Sequence, residues 1–210
     1  MTAGSVEAVA EAALAGSLVV FPTDTVYGIG TRADRPDSTE RLFRAKRRDR
    51  GTALPVLVPS LDVAGEVAGF DERAERLAAA FWPGALTLIL PRTDASSLWD
   101  LGGDAATVGL RIPAHPLASA VLTATGPLAT SSANRSGEPP STTCAGLRRT
   151  FGELVSEYLC TDDPWEGAAS SVLDLAHGAP VLVRSGGVAP GEIDRFLPRG
   201  EALLDSPPSP

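Results

Sequence analysis

Short apolar runs alternate with amphipathic stretches along the chain of 210 residues. Apolar residues between Val6 and Leu14 fall on one helical face, and Gly16 follows where such a helix ends. The same spacing predicts further helices over about residues 37–46, 72–82, 116–124 and 142–158. Short apolar or β-branched runs next to Pro and Gly predict strands over residues 18–21, 54–58, 85–90, 107–112, 127–129, 171–175 and 180–183.

The order of these elements predicts the fold class. Strands and helices interleave, which is typical of an α/β protein. Several neighbouring strands lie too close in sequence for a helical crossover, so some pairs must be antiparallel. We therefore predict a single α/β domain over residues 1–204, with a twisted mixed β-sheet, flanking helices and a ligand cavity at the strand ends. A disordered tail is predicted over residues 205–210.

Two polar clusters stand at predicted strand ends. Residues 129–137 read Ala-Thr-Ser-Ser-Ala-Asn-Arg-Ser-Gly, and residues 21–30 read Phe-Pro-Thr-Asp-Thr-Val-Tyr-Gly-Ile-Gly. Small hydroxyl and amide side chains in such places hydrogen-bond a polar ligand while the ligand approaches the backbone closely. Alternatively, residues 129–137 are a strand leading into a turn that its own Ser and Asn side chains cap. Two clusters of one character favour a shared binding site.

Two arginines follow apolar strands. Arg111 ends the run Val-Gly-Leu-Arg-Ile before Pro113, and Arg184 follows Val-Leu-Val before a Ser-Gly-Gly turn. A buried guanidinium needs a partner, because an unpaired buried charge costs several kcal/mol. That partner is either a carboxylate of the core or a ligand carboxylate or phosphate held by two parallel hydrogen bonds. The free amides of the Ser-Gly-Gly turn also favour an anion.

A basic run, Lys-Arg-Arg-Asp-Arg, occupies residues 46–50 at the end of a predicted helix. Cations at that end are usually solvated and complement the helix dipole. The run also leads directly into Gly51 and a buried strand, where the chain can fold cations over a bound polyanion. If it does so, Lys46 and Arg48 face the cavity and Arg47 faces solvent, because three successive side chains cannot point one way.

Familiar nucleotide motifs are absent from the sequence. No G-x-x-x-x-G-K-[ST] segment occurs, so the chain is not a P-loop protein. Residues 28–33 match G-x-G-x-x-A, but they lack the strand, turn and helix that give the dinucleotide motif its meaning. The net charge of −8 argues against a surface that grips nucleic acid throughout, although a local basic groove is compatible with it.

Cysteine, histidine and the N-terminus carry less information. Cys144 and Cys160 are too few for a disulfide framework, and we expect both to be reduced packing residues. His115 and His177 stand alone, so no metal site is predicted. The acidic N-terminus does not resemble a signal peptide, and no apolar run approaches a membrane span of roughly 18 residues. We therefore expect a cytoplasmic protein without membrane contact.

The ordered motifs resemble those of the YrdC family. Residues 21–30 look like the family signature [FY]-P-T-[DE]-T-x-[YF]-G-[LIV]-G. Further similar segments follow in the family's order between about residues 15 and 188. They are Phe43-x-x-Lys46-x-Arg48, Phe81-Trp82-Pro83-Gly84 with Leu86-Thr87, Val108 to Pro113, Ser131 to Gly137, Ser170 to Asp174, and Val183-Arg184-x-Gly186.

The resemblance implies a YrdC-like fold and threonylcarbamoyl-AMP synthase activity. Family members of this length combine L-threonine, bicarbonate and ATP into L-threonylcarbamoyladenylate and release pyrophosphate, which makes them nucleotidyltransferases. The product passes to the tRNA threonylcarbamoyl-transferase machinery, which modifies adenosine 37 of tRNA. Mg²⁺ is expected with ATP, without a dedicated protein metal site. Contact with tRNA or double-stranded RNA is a further implication.

The resemblance also assigns site residues. It places L-threonine among Thr25, Arg111, Thr130 and Ser170, with Arg111 on the carboxylate. It places ATP against Arg48, Thr52, Thr107, Ser132, Ser141 and Arg184, with Lys46 as an additional phosphate contact. Lys46 and Arg48 are the implied catalytic residues, because cations there would stabilise charge at the phosphorus and on the departing pyrophosphate.

Three positions depart from the family pattern. Asp49 stands where Pro usually follows Lys-x-Arg, and it brings a negative charge beside the proposed phosphate contacts. Thr52 replaces a frequent Lys or Asn, and Leu57 stands where some relatives carry His. Two other functions are kept open: an RNA-binding module, and related carbamoyl-adenylate chemistry on another acceptor.

Overall fold

The structure is a computed structural model that describes residues 4–160 and 167–205. The α-helices are α1 (Val6–Leu14), α2 (Pro36–Lys46), α3 (Leu61–Val67), α4 (Glu72–Phe81), α5 (Pro116–Thr125), α6 (Cys144–Phe151) and α7 (Pro190–Asp194). The strands are β1 (Val19–Phe21), β2 (Gly28–Arg32), β3 (Val56–Leu57), β4 (Leu86–Pro91), β5 (Thr107–Arg111), β6 (Leu128–Ser132), β7 (Glu157–Tyr158), β8 (Ser171–Asp174), β9 (Val181–Arg184) and β10 (Leu204–Asp205). Two 3-10 turns occupy Asp94–Ser96 and Gly152–Leu154.

Within the described ranges, all ten strands form one sheet in the order β10-β9-β8-β4-β5-β3-β6-β2-β1-β7. The pairs β1/β7, β3/β5, β4/β8 and β9/β10 are parallel. The pairs β1/β2, β2/β6, β3/β6, β4/β5 and β8/β9 are antiparallel. The predicted α/β fold with a mixed sheet and flanking helices is therefore confirmed.

Alternation along the strands separates a core face from a site face. In β4, Leu86, Leu88 and Leu90 are almost fully buried in the larger apolar cluster. The intervening residue Thr87 points to the other face, because successive side chains in a strand point to opposite sides. By the same alternation, Arg111 at the end of β5 lies opposite its buried neighbour Leu110, on the face that carries the site.

A second apolar cluster packs helices against part of the site face. Val9 and Ala13 of α1 meet Val121 of α5 and Leu57 of β3 there, and all are buried. These helices cover one end of the face. Thr87 of β4, Arg111 of β5 and Ser170, which directly precedes β8, lie outside this cluster, and the site forms there.

The predicted helix over 142–158 is wrong in its second half. Helix α6 ends at Phe151, because Gly152 adopts a left-handed backbone with φ of +50°. The chain then reverses, and β7 pairs in parallel with β1. This reversal also corrects the expectation of reduced cysteines. Cys160 is brought beside the start of α6, where it forms a disulfide with Cys144 across a Cα–Cα distance of 5.4 Å.

Several elements were not predicted from the pattern. Strand β2 contains Gly28 and Gly30 and lacks an apolar run, yet it pairs with both β1 and β6. Strand β6 continues past the predicted end at Ala129 to Ser132, so the start of that polar cluster is itself strand. Helix α2 begins at Pro36 rather than being capped by Asp37, which lies in its first turn. Elements α3, α7 and β10 were also missed.

The termini complete the description. Asp205, the first residue of the predicted tail, lies in β10 beside β9. Residues 206–210 of that tail, and residues 1–3, lie outside the described residues. None of the helices in the described part of the chain combines the length and apolar character that a membrane crossing requires.

Candidate active site

Arg111 is the centre of the site. It has a carboxylate partner within the protein, and one of its nitrogens is left for a ligand. Its side chain is only 6% exposed, and Nη2 forms an ion pair with Oδ1 of Asp24. Nη1 donates to the Thr25 hydroxyl at 2.8 Å. Nε is buried and has no hydrogen-bond partner among residues 4–160 and 167–205. A buried donor without a partner loses a hydrogen bond that water would supply, so this edge of Arg111 suits a ligand acceptor.

The loop between β1 and β2 presents Thr25 and Asp24 to Arg111. The Thr23 hydroxyl accepts from the amides of Thr25 at 3.2 Å and Val26 at 3.3 Å, and it donates to the Val26 carbonyl at 2.6 Å. One threonine therefore folds the loop into a tight turn by local side-chain hydrogen bonds. The turn fixes Thr25 Oγ1 at 2.9 Å from Thr23 Oγ1 and within reach of Arg111.

Ser170 joins the two predicted halves of the site. Its hydroxyl lies 2.9 Å from that of Thr87. Arg184 donates from Nε to the Ser170 carbonyl at 3.0 Å and from Nη2 to its hydroxyl at 3.1 Å. Ser170, which the resemblance assigns to L-threonine, and Arg184, which it assigns to ATP, are thus direct neighbours. The reacting groups of two ligands could meet at this point.

Lys46 is held more tightly than the sequence indicated. It is 1% exposed, and Nζ donates to the carbonyls of Ser132 at 2.5 Å and Asn134 at 2.6 Å. Burial, and then repulsion from Arg48, lowers its pKa to about 8. An ammonium carries three donors, and the two carbonyls use two of them. The side chain also ties the end of α2 to the loop after β6.

Arg48 turns towards the site, and Arg47 does not. Arg47 is exposed and adopts the left-handed conformation, with φ of +51°, that ends α2. The change of direction lets Arg48 donate to the carbonyls of Thr52 at 3.0 Å and Ala53 at 2.8 Å. The expectation that Arg47 faces solvent is confirmed.

Electrostatics connect these cations into one group. Burial lowers the pKa of Arg48, and repulsion from Arg184 lowers it further. Burial also lowers the pKa of Arg111, where Asp24 opposes the shift and Arg184 adds to it. Arg184 therefore lies within electrostatic reach of both other guanidinium groups. Clustered, partly buried cations strongly favour a polyanion.

The remaining predicted residues are spread along the sheet. Thr130 lies in β6 between the two glycines of β2, and its hydroxyl donates to the Leu128 carbonyl at 3.1 Å. A Cβ at Gly28 or Gly30 would come within 2.9 or 3.0 Å of Thr130, so glycine is needed there for close packing. These glycines lie in a strand, which confirms that they are not a dinucleotide-binding loop.

The four weaker nucleotide candidates occupy separate places. Thr107 is half-buried and begins β5, at the opposite end of the strand from Arg111 but on the same face. Thr52 is exposed, and its carbonyl accepts from Arg48. The Ser132 carbonyl accepts from Lys46. Ser141 lies against the start of α6, where its Oγ would be 2.1 Å from a Cβ at Gly146.

The departures from the family pattern have local explanations. Asp49 accepts from the amide of Gly51 at 2.9 Å and so shapes the turn after Arg48. Leu57 is 5% exposed and belongs to the second apolar cluster. Asp24 and Thr87 were the missed site residues. An acidic residue in a strand-end cluster, in a chain with a buried strand-end arginine, was the available signal for Asp24.

Comparison with known proteins identifies the family. The sequence model of the Sua5/YciO/YrdC family, which carries the description "Telomere recombination", matches residues 11–186. The chain belongs to this family. The resemblance of the ordered motifs is therefore confirmed, and it covers the segments that supply all four cations of the site.

Three members of the Sua5/YciO/YrdC family show the extent of the similarity. A Mycobacterium tuberculosis protein is 42% identical over 185 residues, 87% of this chain and 84% of its own length. The threonylcarbamoyl-AMP synthase of Bacillus subtilis is 36% identical over 183 residues, 86% of this chain and 53% of that enzyme. The crystal structure of Pyrococcus abyssi Sua5 complexed with L-threonine gives a TM-score of 0.84 at 32% identity, covering 95% of this chain and 58% of that one. The chain thus spans little more than half of the last two proteins.

Proposed function

We propose that this protein is a threonylcarbamoyl-AMP synthase, which makes L-threonylcarbamoyladenylate and pyrophosphate from L-threonine, bicarbonate and ATP. The observation that carries the proposal is that Arg184, which donates to Ser170, lies within electrostatic reach of both Arg111 and Arg48. This arrangement offers one subsite for a carboxylate and an adjacent subsite for phosphates. The name of the Bacillus relative and the L-threonine in the Pyrococcus complex support the same activity.

The amino-acid half of the site is built around Arg111. Its unpartnered Nε would donate to the carboxylate of L-threonine, since a guanidinium is a strong donor to carboxylates. The hydroxyl of Thr25 accepts from Arg111, and the hydroxyl of Ser170 accepts from its neighbour Arg184. Thr130 is proposed as the fourth contact, from the adjoining floor of the sheet.

The nucleotide half is proposed to follow the cations. Arg184 and Arg48 would bind phosphate oxygens, with the third donor of Lys46 as a further contact. Thr52, Thr107, Ser132 and Ser141 would contact the remainder of ATP. Mg²⁺ is proposed as part of the MgATP substrate, where it neutralises phosphate charge.

The chemistry follows from placing these two ligands together. The α-ammonium of threonine first releases a proton to solvent. The neutral nitrogen then attacks the carbon of bicarbonate, and the displaced hydroxide leaves as water by taking a second proton from the nitrogen, so that a carbamate forms. A carbamate oxygen then attacks the α-phosphorus of ATP, and the bond from that phosphorus to pyrophosphate breaks. The protein contributes by holding the reactants together and by stabilising negative charge at the phosphorus and on the leaving group.

Pyrophosphate release tests the proposal directly. We expect the purified protein to release pyrophosphate only when L-threonine, bicarbonate, ATP and Mg²⁺ are all present, because each supplies atoms or charge to the reaction. A coupled pyrophosphate assay with each component omitted in turn measures this. Equal turnover with L-serine, or none with L-threonine, would instead favour related carbamoyl-adenylate chemistry on another acceptor.

Arg48 and Arg47 offer a matched pair of variants. Arg48→Ala should lower pyrophosphate release about tenfold or more, because it removes a cation from the proposed phosphate subsite. Arg47→Ala should leave the rate nearly unchanged, since its side chain is exposed. Similar modest losses of pyrophosphate release in both variants would mean that the basic run contributes only its overall positive charge and no specific phosphate contact. Unfolding midpoints of both variants control for misfolding.

The later fate of the product is part of the proposal. We propose that L-threonylcarbamoyladenylate passes to the tRNA threonylcarbamoyl-transferase machinery in the cytoplasm. Direct contact with tRNA or double-stranded RNA stays a prediction. Steeply salt-dependent RNA affinity without ATP turnover would favour the RNA-binding alternative.

A further inference from the structure

We infer that Asp24 binds the α-ammonium group of the amino-acid substrate, so that Asp24 and Arg111 together select a zwitterion. The inference rests on the proposed function and assigns a role in it to a residue outside the expected site. Asp24 stands in the turn after β1, and its Oδ1 pairs with Nη2 of Arg111. Its side chain is 15% exposed, against 6% for Arg111.

The sign of the charge at Asp24 is the first argument. Lys46, Arg48, Arg111 and Arg184 form a cationic group, and Asp24 is the carboxylate that forms an ion pair with any of them in the described ranges. A carboxylate in such a place weakens the binding of an anion. Bicarbonate and ATP are anions. L-threonine and the Mg²⁺ that accompanies ATP bring positive charge, and of these two L-threonine is the one proposed to lie against Arg111. The carboxylate therefore complements the α-ammonium.

The geometry of the ion pair is the second argument. The contact to Arg111 uses Oδ1, and a carboxylate has acceptor positions on both oxygens. The Asp24 side chain is 15% exposed, and we assign Oδ2 as the oxygen that accepts from the ligand. On the arginine side, Thr25 and Asp24 occupy Nη1 and Nη2, and Nε has no partner in the part of the chain that the structure describes. The pair thus offers one acceptor and one donor to a single small molecule.

A purely structural role for Asp24 makes a different prediction. If Asp24 only orients Arg111, its removal should weaken every ligand that has a carboxylate. The presence of the substrate nitrogen should then make no difference to the loss of affinity. The two roles are separated by ligands that lack one charge. L-Threonine methyl ester keeps the ammonium, and the 2,3-dihydroxybutanoate of matching configuration keeps the carboxylate.

Calorimetric titration of these ligands tests the inference. The unaltered protein should bind L-threonine at least about tenfold more tightly than the dihydroxybutanoate, since a hydrogen bond to a charged group is lost with the nitrogen. Asp24→Asn should weaken L-threonine about tenfold or more, whereas the affinity of the anionic dihydroxybutanoate should stay the same or rise, because a negative charge beside it is removed. Equal losses for both ligands, or no loss for L-threonine, would overturn the inference.

Two further variants keep the test decisive. Asp24→Glu retains the carboxylate and should retain most of the preference for L-threonine over the dihydroxybutanoate. Arg111→Lys should weaken both carboxylate ligands and spare the methyl ester, because a point charge does not replace the guanidinium fork. If Asp24→Asn does not fold, the comparison of ligands on the unaltered protein still decides, because equal affinity there refutes a bound ammonium.

Failure of this inference differs from failure of the proposed function. If the unaltered protein releases pyrophosphate in a threonine-dependent manner but binds the dihydroxybutanoate as well as L-threonine, only the role of Asp24 is wrong. If it neither binds L-threonine nor releases pyrophosphate, the proposed function itself is wrong.

Discussion

Lys46→Met will lower the free energy of unfolding by roughly 2–6 kcal/mol, because two carbonyls lose their donor at once. Nζ bonds to Ser132 and Asn134, and the side chain is almost fully buried. Leaving a buried acceptor unsatisfied costs about 1–3 kcal/mol for each group. Urea unfolding of Lys46→Met, beside Arg47→Met as an exposed control, measures the difference.

The pH dependence of the free energy of unfolding shows whether the buried ammonium of Lys46 is responsible for the difference. Burial, followed by repulsion from Arg48, lowers the pKa of Lys46 from 10.5 to about 8. Between these pH values the unfolded chain binds a proton that the folded protein has released, so the free energy of unfolding rises with pH over that interval. The rise should be present in the unaltered protein and missing in Lys46→Met. Parallel pH profiles of the two proteins would contradict the burial of a titrating Lys46.

Reducing the disulfide between Cys144 and Cys160 will lower the free energy of unfolding by about 3 kcal/mol. The two residues are 16 positions apart, and closing a loop of that size restricts the unfolded chain by about this amount. For a chain of this length, the loss corresponds to a fall of roughly 6–12 °C in the unfolding midpoint. Scanning calorimetry of the oxidised protein with and without a thiol reductant measures it.

A double variant controls for effects of the reductant itself. Cys144→Ser combined with Cys160→Ser should unfold at the midpoint of the reduced protein and should not respond to reductant. The sequence contains two cysteines in all, so no other pair can substitute. Two titratable thiols in protein purified without reductant, together with a midpoint that reductant does not change, would contradict the disulfide.

Periodic segments made much of the fold predictable. Helix α4 and strands β4, β5 and β8 were found within one or two residues, because an apolar face or a short apolar run reports their burial directly. Strand β2 was missed because it is held by backbone pairing with β1 and β6 and by the close packing of its glycines against Thr130. Neither feature gives an apolar pattern in the sequence. Helix α6 was predicted too long because the apolar spacing continues past Gly152, where the backbone turns.

The site was predictable by residue type and less so by contact. A strand-end arginine was correctly read as needing a partner, and Arg111 has both an internal carboxylate and an unsatisfied edge. The competing interpretations were therefore not exclusive. Lys46 donates two hydrogen bonds to carbonyls that are far along the chain. The sequence around Lys46 could not show this, because a tertiary contact leaves no local sequence pattern.

The distribution of the cations along the chain has a consequence for biosynthesis. Lys46 ends α2 and Arg48 follows it, Arg111 ends β5, and Arg184 ends β9. A chain still emerging from the ribosome can order the first three positions long before Arg184 has been made, and proteins of this size commonly fold in stages. The proposed phosphate subsite would then be complete only when β9 has joined β8. If that proposal holds, nucleotide affinity reports that synthesis and sheet assembly have both reached β9.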